Sequence, residues 1–187
     1  MLRRIIGATV SMAILSLWIP ALAAAQTANL WLDVPFVAQQ RDGCGAAGIA
    51  MVMQYWEQHE GRPVEPAAEP ARILRTLYTP AARGIYASAM VGYFQQNGYR
   101  AFAFSGRPTD LAAQLSKGRP LLVALKPGPE PSLHYVVVVG LDQPQQIVLV
   151  NDPAQRKLLK EDSSQFEREW NAAGRWTLLA VPETSTH

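Results

Sequence analysis

The sequence holds one cysteine, Cys44, and three histidines, His59, His134 and His187. A lone cysteine cannot close an internal disulfide, so it is either an inert buried thiol or a reactive one. Its neighbours favour reactivity. Cys44 stands where a turn, Asp42-Gly43-Cys44-Gly45, opens an apolar stretch that runs to His59. If that stretch is a helix, the positive end of its dipole meets the sulfur and favours the thiolate. Gly43 and Gly45, having no Cβ, are expected to let a substrate backbone and donor N–H groups approach the nucleophile.

A thiolate that attacks a carbonyl needs a proton shuttle, a group that orients the shuttle and donors for the oxyanion. His187 is the last residue, and His59 lies about four helical turns from Cys44, which leaves His134 as the shuttle. His134 opens the run H-Y-V-V-V-V-G-L, which is followed by a turn of Asp142 to Gln145 and by Q-I-V-L-V-N. This pattern is a β-hairpin. A turn centred on Gln143 pairs His134 with Asp152, and a two-residue turn at Asp142 and Gln143 pairs it with Asn151. Either side chain could hold the imidazole in the required tautomer. Gln39 and Gln40, five and four residues before Cys44, are both placed to offer an amide to the oxyanion beside the Cys44 N–H. One cysteine with scattered histidines and carboxylates lacks metal-ligand spacing, so no metal and no other cofactor is expected.

The elements that must position these groups are of two kinds. Before residue 100 the periodicity is helical: an extended entry over 30–37, a helix over 44–59 that is apolar on every side and hence central and buried, then helices over 67–77 and 86–97. After residue 100 it is mainly that of strands: 101–104, 120–125, 134–141, 146–151 and 175–181, with a helix capped by Thr109 and closed by Gly118 and a short helix over 164–171. Helices first and an antiparallel sheet afterwards is an α+β layout. The segment 126–132, K-P-G-P-E-P-S, is too rich in proline for helix or central strand and should run as a semi-rigid loop at the rim of the cleft.

Residues 1–25 combine Arg3 and Arg4, an apolar run from Ile5 to Ile19, Pro20 and the stretch Ala21-Leu22-Ala23-Ala24-Ala25. This reads as a secretory signal peptide, with residues 26–187 forming one extracytoplasmic, periplasmic or secreted domain that has no stable membrane insertion after cleavage. Lys and Arg number 17 against 15 Asp and Glu, and without Arg3 and Arg4 the balance is 15 to 15. A neutral chain with scattered basic residues carries no footprint for nucleic acid. With 49% apolar and 17% charged residues in 187, the chain should be globular, with a monomer expected.

Three blocks together, Val34 to Trp56 (V-P-F-V-A-Q-Q-R-D-G-C-G-A-A-G-I-A-M-V-M-Q-Y-W), His134 to Asp142 (H-Y-V-V-V-V-G-L-D) and Val150 to Pro153 (V-N-D-P), resemble the bacteriocin-processing, double-glycine peptidases and their stand-alone relatives of papain-like fold. The resemblance spans nearly the whole chain after residue 25. It implies a cysteine nucleophile at Cys44, a histidine at His134, an aspartate at Asp152 and an oxyanion-hole glutamine at Gln39. The expected function is therefore an exported cysteine peptidase acting on a peptide or protein substrate. Two other readings stay open on the sequence: a cell-wall peptide amidase or transpeptidase using the same chemistry, and a non-catalytic peptide-binding module of the same fold.

Overall fold

The computed structural model describes residues 30–129 and 132–183. The expected signal peptide over residues 1–25 and His187 lie outside the described residues. Among the described residues no helix is long and apolar enough to cross a membrane.

A seven-stranded sheet organises the molecule. Its strands are β1 (Leu30–Trp31), β2 (Tyr99–Ser105), β3 (Leu121–Leu125), β4 (His134–Asp142), β5 (Ile147–Asn151), β6 (Leu159–Asp162) and β7 (Trp176–Pro182). They run in the order β2-β7-β3-β4-β5-β6, with β1 added beside β4, and every pairing is antiparallel. The helices are α1 (Cys44–His59), α2 (Pro70–Leu77), α3 (Ala87–Gln96), α4 (Pro108–Leu115) and α5 (Ser163–Ala172). Alternation along the strands divides the core in two. Leu122 and Ala124 of β3 and Tyr135, Val137 and Val139 of β4 face α1, while Leu121, Val123, Leu125, Val136 and Val138 face the layer of Leu111, Phe166 and Trp170 from α4 and α5. A sheet covered on both faces explains why β4 reads as an unbroken apolar run instead of an alternating one.

Helix α1 matches its expected span and is the buried central helix that its composition requires. Ile49, Met51 and Met53 are at most 1% exposed, and burial of such side chains is worth about 1.5–3 kcal/mol each. Gly48 lets the helix settle directly onto Leu122 of the sheet, because a Cβ there would collide with that side chain. The Tyr55 hydroxyl donates to Gly118 O (2.8 Å) and Trp56 Nε1 to Ala180 O (3.0 Å), so the far end of α1 is bolted to the sheet half.

Several expected elements differ in detail. The helix expected over 67–77 breaks into a 3₁₀ turn (Pro66–Ala68) and α2, because Pro70 starts a new helix at its first position. Thr109 is not the cap of α4: the helix starts at Pro108, and Asp110 reaches back to the Arg107 N–H (2.9 Å). β6, which the sequence pattern did not reveal, pairs with β5 at the sheet edge.

Candidate active site

Cys44 is the first residue of α1. The turn before it is closed by the Gly43 N–H donating to Gln40 O (2.9 Å), with Asp42 in the left-handed region at φ 57°. Its two glycines serve packing and not substrate access, contrary to expectation. A Cβ at Gly43 would lie 2.9 Å from Gln40 O, and one at Gly45 would lie 2.6 Å from Met90 Cε and close to Ile85 and Tyr135. Both positions are buried against the protein itself.

On the sheet side, His134 Nε2 donates to Asp152 Oδ1 at 2.8 Å. The carboxylate is buried and fully engaged: the Ala154 N–H also donates to Oδ1 (2.8 Å) and Gln155 Nε2 donates to Oδ2 (2.6 Å). With Nε2 committed to Asp152, Nδ1 is the ring nitrogen left to face Cys44. Burial alone would lower the pKa of His134, but the bonds to Asp152 and Cys44 and their negative charges outweigh it and hold the value at about 10. For Asp152 burial again opposes the net shift, and the bond to His134, its positive charge and the donors Ala154 and Gln155 hold the carboxyl below its usual range.

The hairpin reaches this arrangement by a register different from either one expected. A four-residue turn over 143–146, with Gln146 at φ 56°, pairs Asp142 with Ile147. A bulge between Val138 and Gly140 then shifts the register, so that Val137 faces Asn151. Asp152 follows one residue later, on the face of Val136 and therefore of His134, and reaches the imidazole along the diagonal instead of from directly opposite. Asn151 does different work. It is fully buried, its Nδ2 donates to Val34 O (3.1 Å), and its Oδ1 accepts from the Leu158 N–H (3.0 Å).

The Gln39 N–H donates to Pro153 O (2.9 Å), tying the segment before Cys44 to the turn that carries Asp152. Gln39 is half-buried, and its Oε1 is buried with no hydrogen-bond partner among the described residues. Gln40 is exposed and lines a small hollow with Ala47, Pro70 and Leu74. His59 sits at the other end of α1 against the rings of Tyr55 and Trp56.

A cleft of about 390 Å3 opens at Cys44, between the segment 81–87 and the residues that flank His134 in sequence: Ser132, Leu133 and Tyr135. The described part of the proline-rich segment has neither helix nor strand, and its last residue, Ser132, is at the cleft as expected. Three participants escaped the sequence reading. Gln155 clamps Asp152, and only the fold reveals a glutamine three residues on in a turn. Tyr135 is 5% exposed on the cleft floor, and burial followed by the charge of Cys44 pushes its hydroxyl up to about 12. Glu161 lies on the unforeseen β6, and burial, then Glu169 and Asp152, raise its carboxyl to about 7.

A thiol at a helix N-terminus, an imidazole bound to a buried carboxylate and an adjoining cleft constitute the equipment of a thiol-dependent acyl-transfer site. The comparisons with known proteins agree. A C39-like peptidase described from Bacillus anthracis superposes with a TM-score of 0.65 at 19% identity, over 82% of this chain and 98% of that one. A double glycine motif protease from an AMS/PCAT transporter, solved with its leader peptide, gives 0.61 at 21% identity over 81% and 94%. The peptidase domain of Streptococcus ComA, a bifunctional ABC transporter of a quorum-sensing pathway, gives 0.60 at 20% over 78% and 96%. These superpositions establish the papain-like fold. No curated protein matches the sequence. The profile of the Peptidase_C39 like family matches residues 31–178, nearly the whole described chain, and the protein accordingly belongs to that family of cysteine-type peptidases.

Proposed function

We propose that the protein is an exported peptidase that hydrolyses peptide bonds with Cys44 as nucleophile, His134 as proton shuttle, Asp152 as its orienter and Gln39 with the Cys44 N–H as oxyanion hole. The observation that carries this reading is the 2.8 Å His134–Asp152 bond, with the other imidazole nitrogen left for Cys44. In the resting pair His134 carries the proton and Cys44 the negative charge. The sulfur attacks the peptide carbonyl carbon, and the oxyanion is held by the amides of Gln39 and Cys44. His134 then gives its proton to the departing amine as the C–N bond breaks. Water, deprotonated by His134, hydrolyses the thioester and returns the proton to the site.

A peptide substrate is supported by the fold shared with a protease solved in complex with a leader peptide. Export is supported by the Arg3-Arg4, Ile5 to Ile19 and Ala21 to Ala25 pattern. The test is a peptide-library digest with mass-spectrometric mapping of a thiol-directed peptidase inhibitor. Cleavage that disappears in Cys44→Ala, with the label on Cys44, is the expected result. A protein whose Cys44 alkylates readily but that cuts no peptide would sink the peptidase reading. N-terminal sequencing of protein recovered outside the cytoplasm tests export, with a start near residue 24 or 26 expected.

A further inference from the structure

Beyond the Cys44 cleft, a second and wider cavity of about 670 Å3 is lined by Arg41, Asp42, Leu74, Arg75, Tyr78 and Pro80. The two cavities share a wall. Tyr78 and Pro80 line the second cavity and residues 81–87 the Cys44 cleft, and Gly84 packs towards the Asp42 main-chain carbonyl between the two. That wall is firmly built. Thr79 and Gly84 form a main-chain bridge (2.8 Å), the Ala82 N–H donates to Thr79 O and the Arg83 N–H to Pro80 O, both at 3.0 Å. The closure forces Arg83 into the left-handed region at φ 45°, an uncommon conformation for a side chain of that size, and sets it on the rim of the Cys44 cleft.

Among the described lining residues the two cavities therefore hold three arginines, Arg41, Arg75 and Arg83, and one acidic residue, Asp42. None of the three takes part in an ion pair among the described residues, whereas Arg62, Arg107 and Arg175 each do. An unpaired arginine is ordinary on a protein surface. Three from separate elements, two in the second cavity and one on the rim of the Cys44 cleft, against a single acidic residue, produce a local positive field along a groove beside the nucleophile.

We propose that this groove holds the substrate chain on one side of the scissile bond and selects an acidic residue there, with Leu74, Tyr78 and Pro80 receiving an apolar neighbour. The inference rests on the peptidase reading and adds the substrate's chemistry to it: a peptide with aspartate or glutamate beyond the residues that fill the Cys44 cleft. Guanidinium groups at an open rim act mainly by steering and by exposed ion pairs, so the expected selectivity is moderate and sensitive to salt.

The experiment takes one peptide that the protein cleaves and walks glutamate, glutamine or lysine outward from the scissile bond on each side. Glutamate should exceed lysine in kcat/KM by about five- to tenfold at one or two positions on one side only. The preference should shrink in about 1 M salt, where screening acts over about 3 Å. Arg41→Glu combined with Arg75→Glu should reverse it. Arg75→Gln alone, on the exposed face of α2, should weaken it and serves if the double variant fails to fold, as judged by thermal melting. Charge-independent cleavage, or folded variants that keep the wild-type preference, would overturn the proposal while leaving the peptidase reading intact. A library in which nothing is cut, although Cys44 alkylates, would overturn both.

Discussion

The two walls of the cleft are built on opposite plans. On the sheet wall the groups around the imidazole are partnered: both oxygens of Asp152 are occupied, His134 is bound to one of them, and both ends of the Asn151 amide are used. The facing wall, made of the turn before Cys44 and the segment 78–87, is fixed mainly by main-chain bonds and leaves several side chains unengaged among the described residues. Gln39 Oε1 has no partner among the described residues, and Arg41, Arg75 and Arg83 have no ion pair among them. A satisfied network is rigid and holds an imidazole in one tautomer. Unengaged groups on a rigid frame can still bind something else. Orientation of the imidazole thus belongs to the sheet wall, and under the proposed function contact with substrate and oxyanion would fall to the helix wall.

The largest effect that would break this division falls on Gln39. Gln39→Ala should lower kcat by about 10²–10³, the usual loss of one oxyanion donor, without lowering the melting temperature. Gln40→Ala, on an exposed residue whose main chain alone closes the turn, should stay near wild type. Equal losses from the two substitutions would show that the amide acts through the shape of the turn.

The sheet wall is tested by the adjacent pair Asp152 and Asn151. Asp152→Ala should lower kcat by about a hundredfold, the lower part of the range for general acid–base assistance. Asn151→Ala leaves the Val34 carbonyl and the Leu158 N–H without their partner and should cost about 1–3 kcal/mol for each buried group left unsatisfied, with kcat largely kept. Activity assays and denaturant melts on both variants separate the outcomes. If Asn151→Ala lost turnover at unchanged stability, the two residues would have exchanged roles.

How far the sequence reaches follows the same contrast. The helix at Cys44 and the strand at His134 are legible because their apolar patterns are long and because a lone cysteine at a glycine turn is chemically unusual. The pairing of His134 with Asp152 is legible only by parity. The turn centres between Pro144 and Gln145, a residue and a half beyond Gln143, and a bulge at Val139 takes back part of that shift, so the two offsets together leave Asp152 on the face of His134. Neither the bulge nor β6 has a local signature: β6 is four residues at an edge (L-K-E-D), and at the bulge the Val139 carbonyl accepts the N–H of Leu32, a residue distant in sequence. The second cavity is invisible in one dimension, since Arg41 and Arg75 come to line it together only after α2 packs against α1.

A smaller effect concerns pH. Because His134 is raised from 6.5 to about 10, it remains protonated through neutrality, and kcat/KM should keep its alkaline limb until about pH 10. The sign for stability follows from the same shift: the contribution of His134 is complete below about pH 6.5 and is lost as pH rises through about 10. That of Asp152, whose value is depressed, is present above the ordinary carboxylate range and lost in acid. An alkaline limb near 6.5 would mean that the imidazolium draws no support from Asp152 and Cys44, and that the closed network of the sheet wall is not what sets the proton.

The smallest effect expected is at Glu161, whose charge its surroundings on the sheet side oppose. Its carboxyl, half-buried on β6, is raised from 4.5 to about 7, first by burial and then by the negative charges of Glu169 and Asp152. An acid raised in the folded state stabilises that state fully below the unfolded value and less as pH climbs through the folded one. Wild-type stability should therefore decline between about pH 4.5 and pH 7, and Glu161→Gln should remove that part of the slope. The effect on turnover should be under about threefold, the scale of a partly exposed charge acting at a distance. Melting temperatures of the two proteins across this range, with kcat/KM at each pH, decide the matter. Parallel stability curves would mean that Glu161 titrates as an ordinary surface carboxylate. A large fall in turnover would instead place Glu161 inside the orienting network, and the sheet wall would extend one strand further than Asp152 and Gln155.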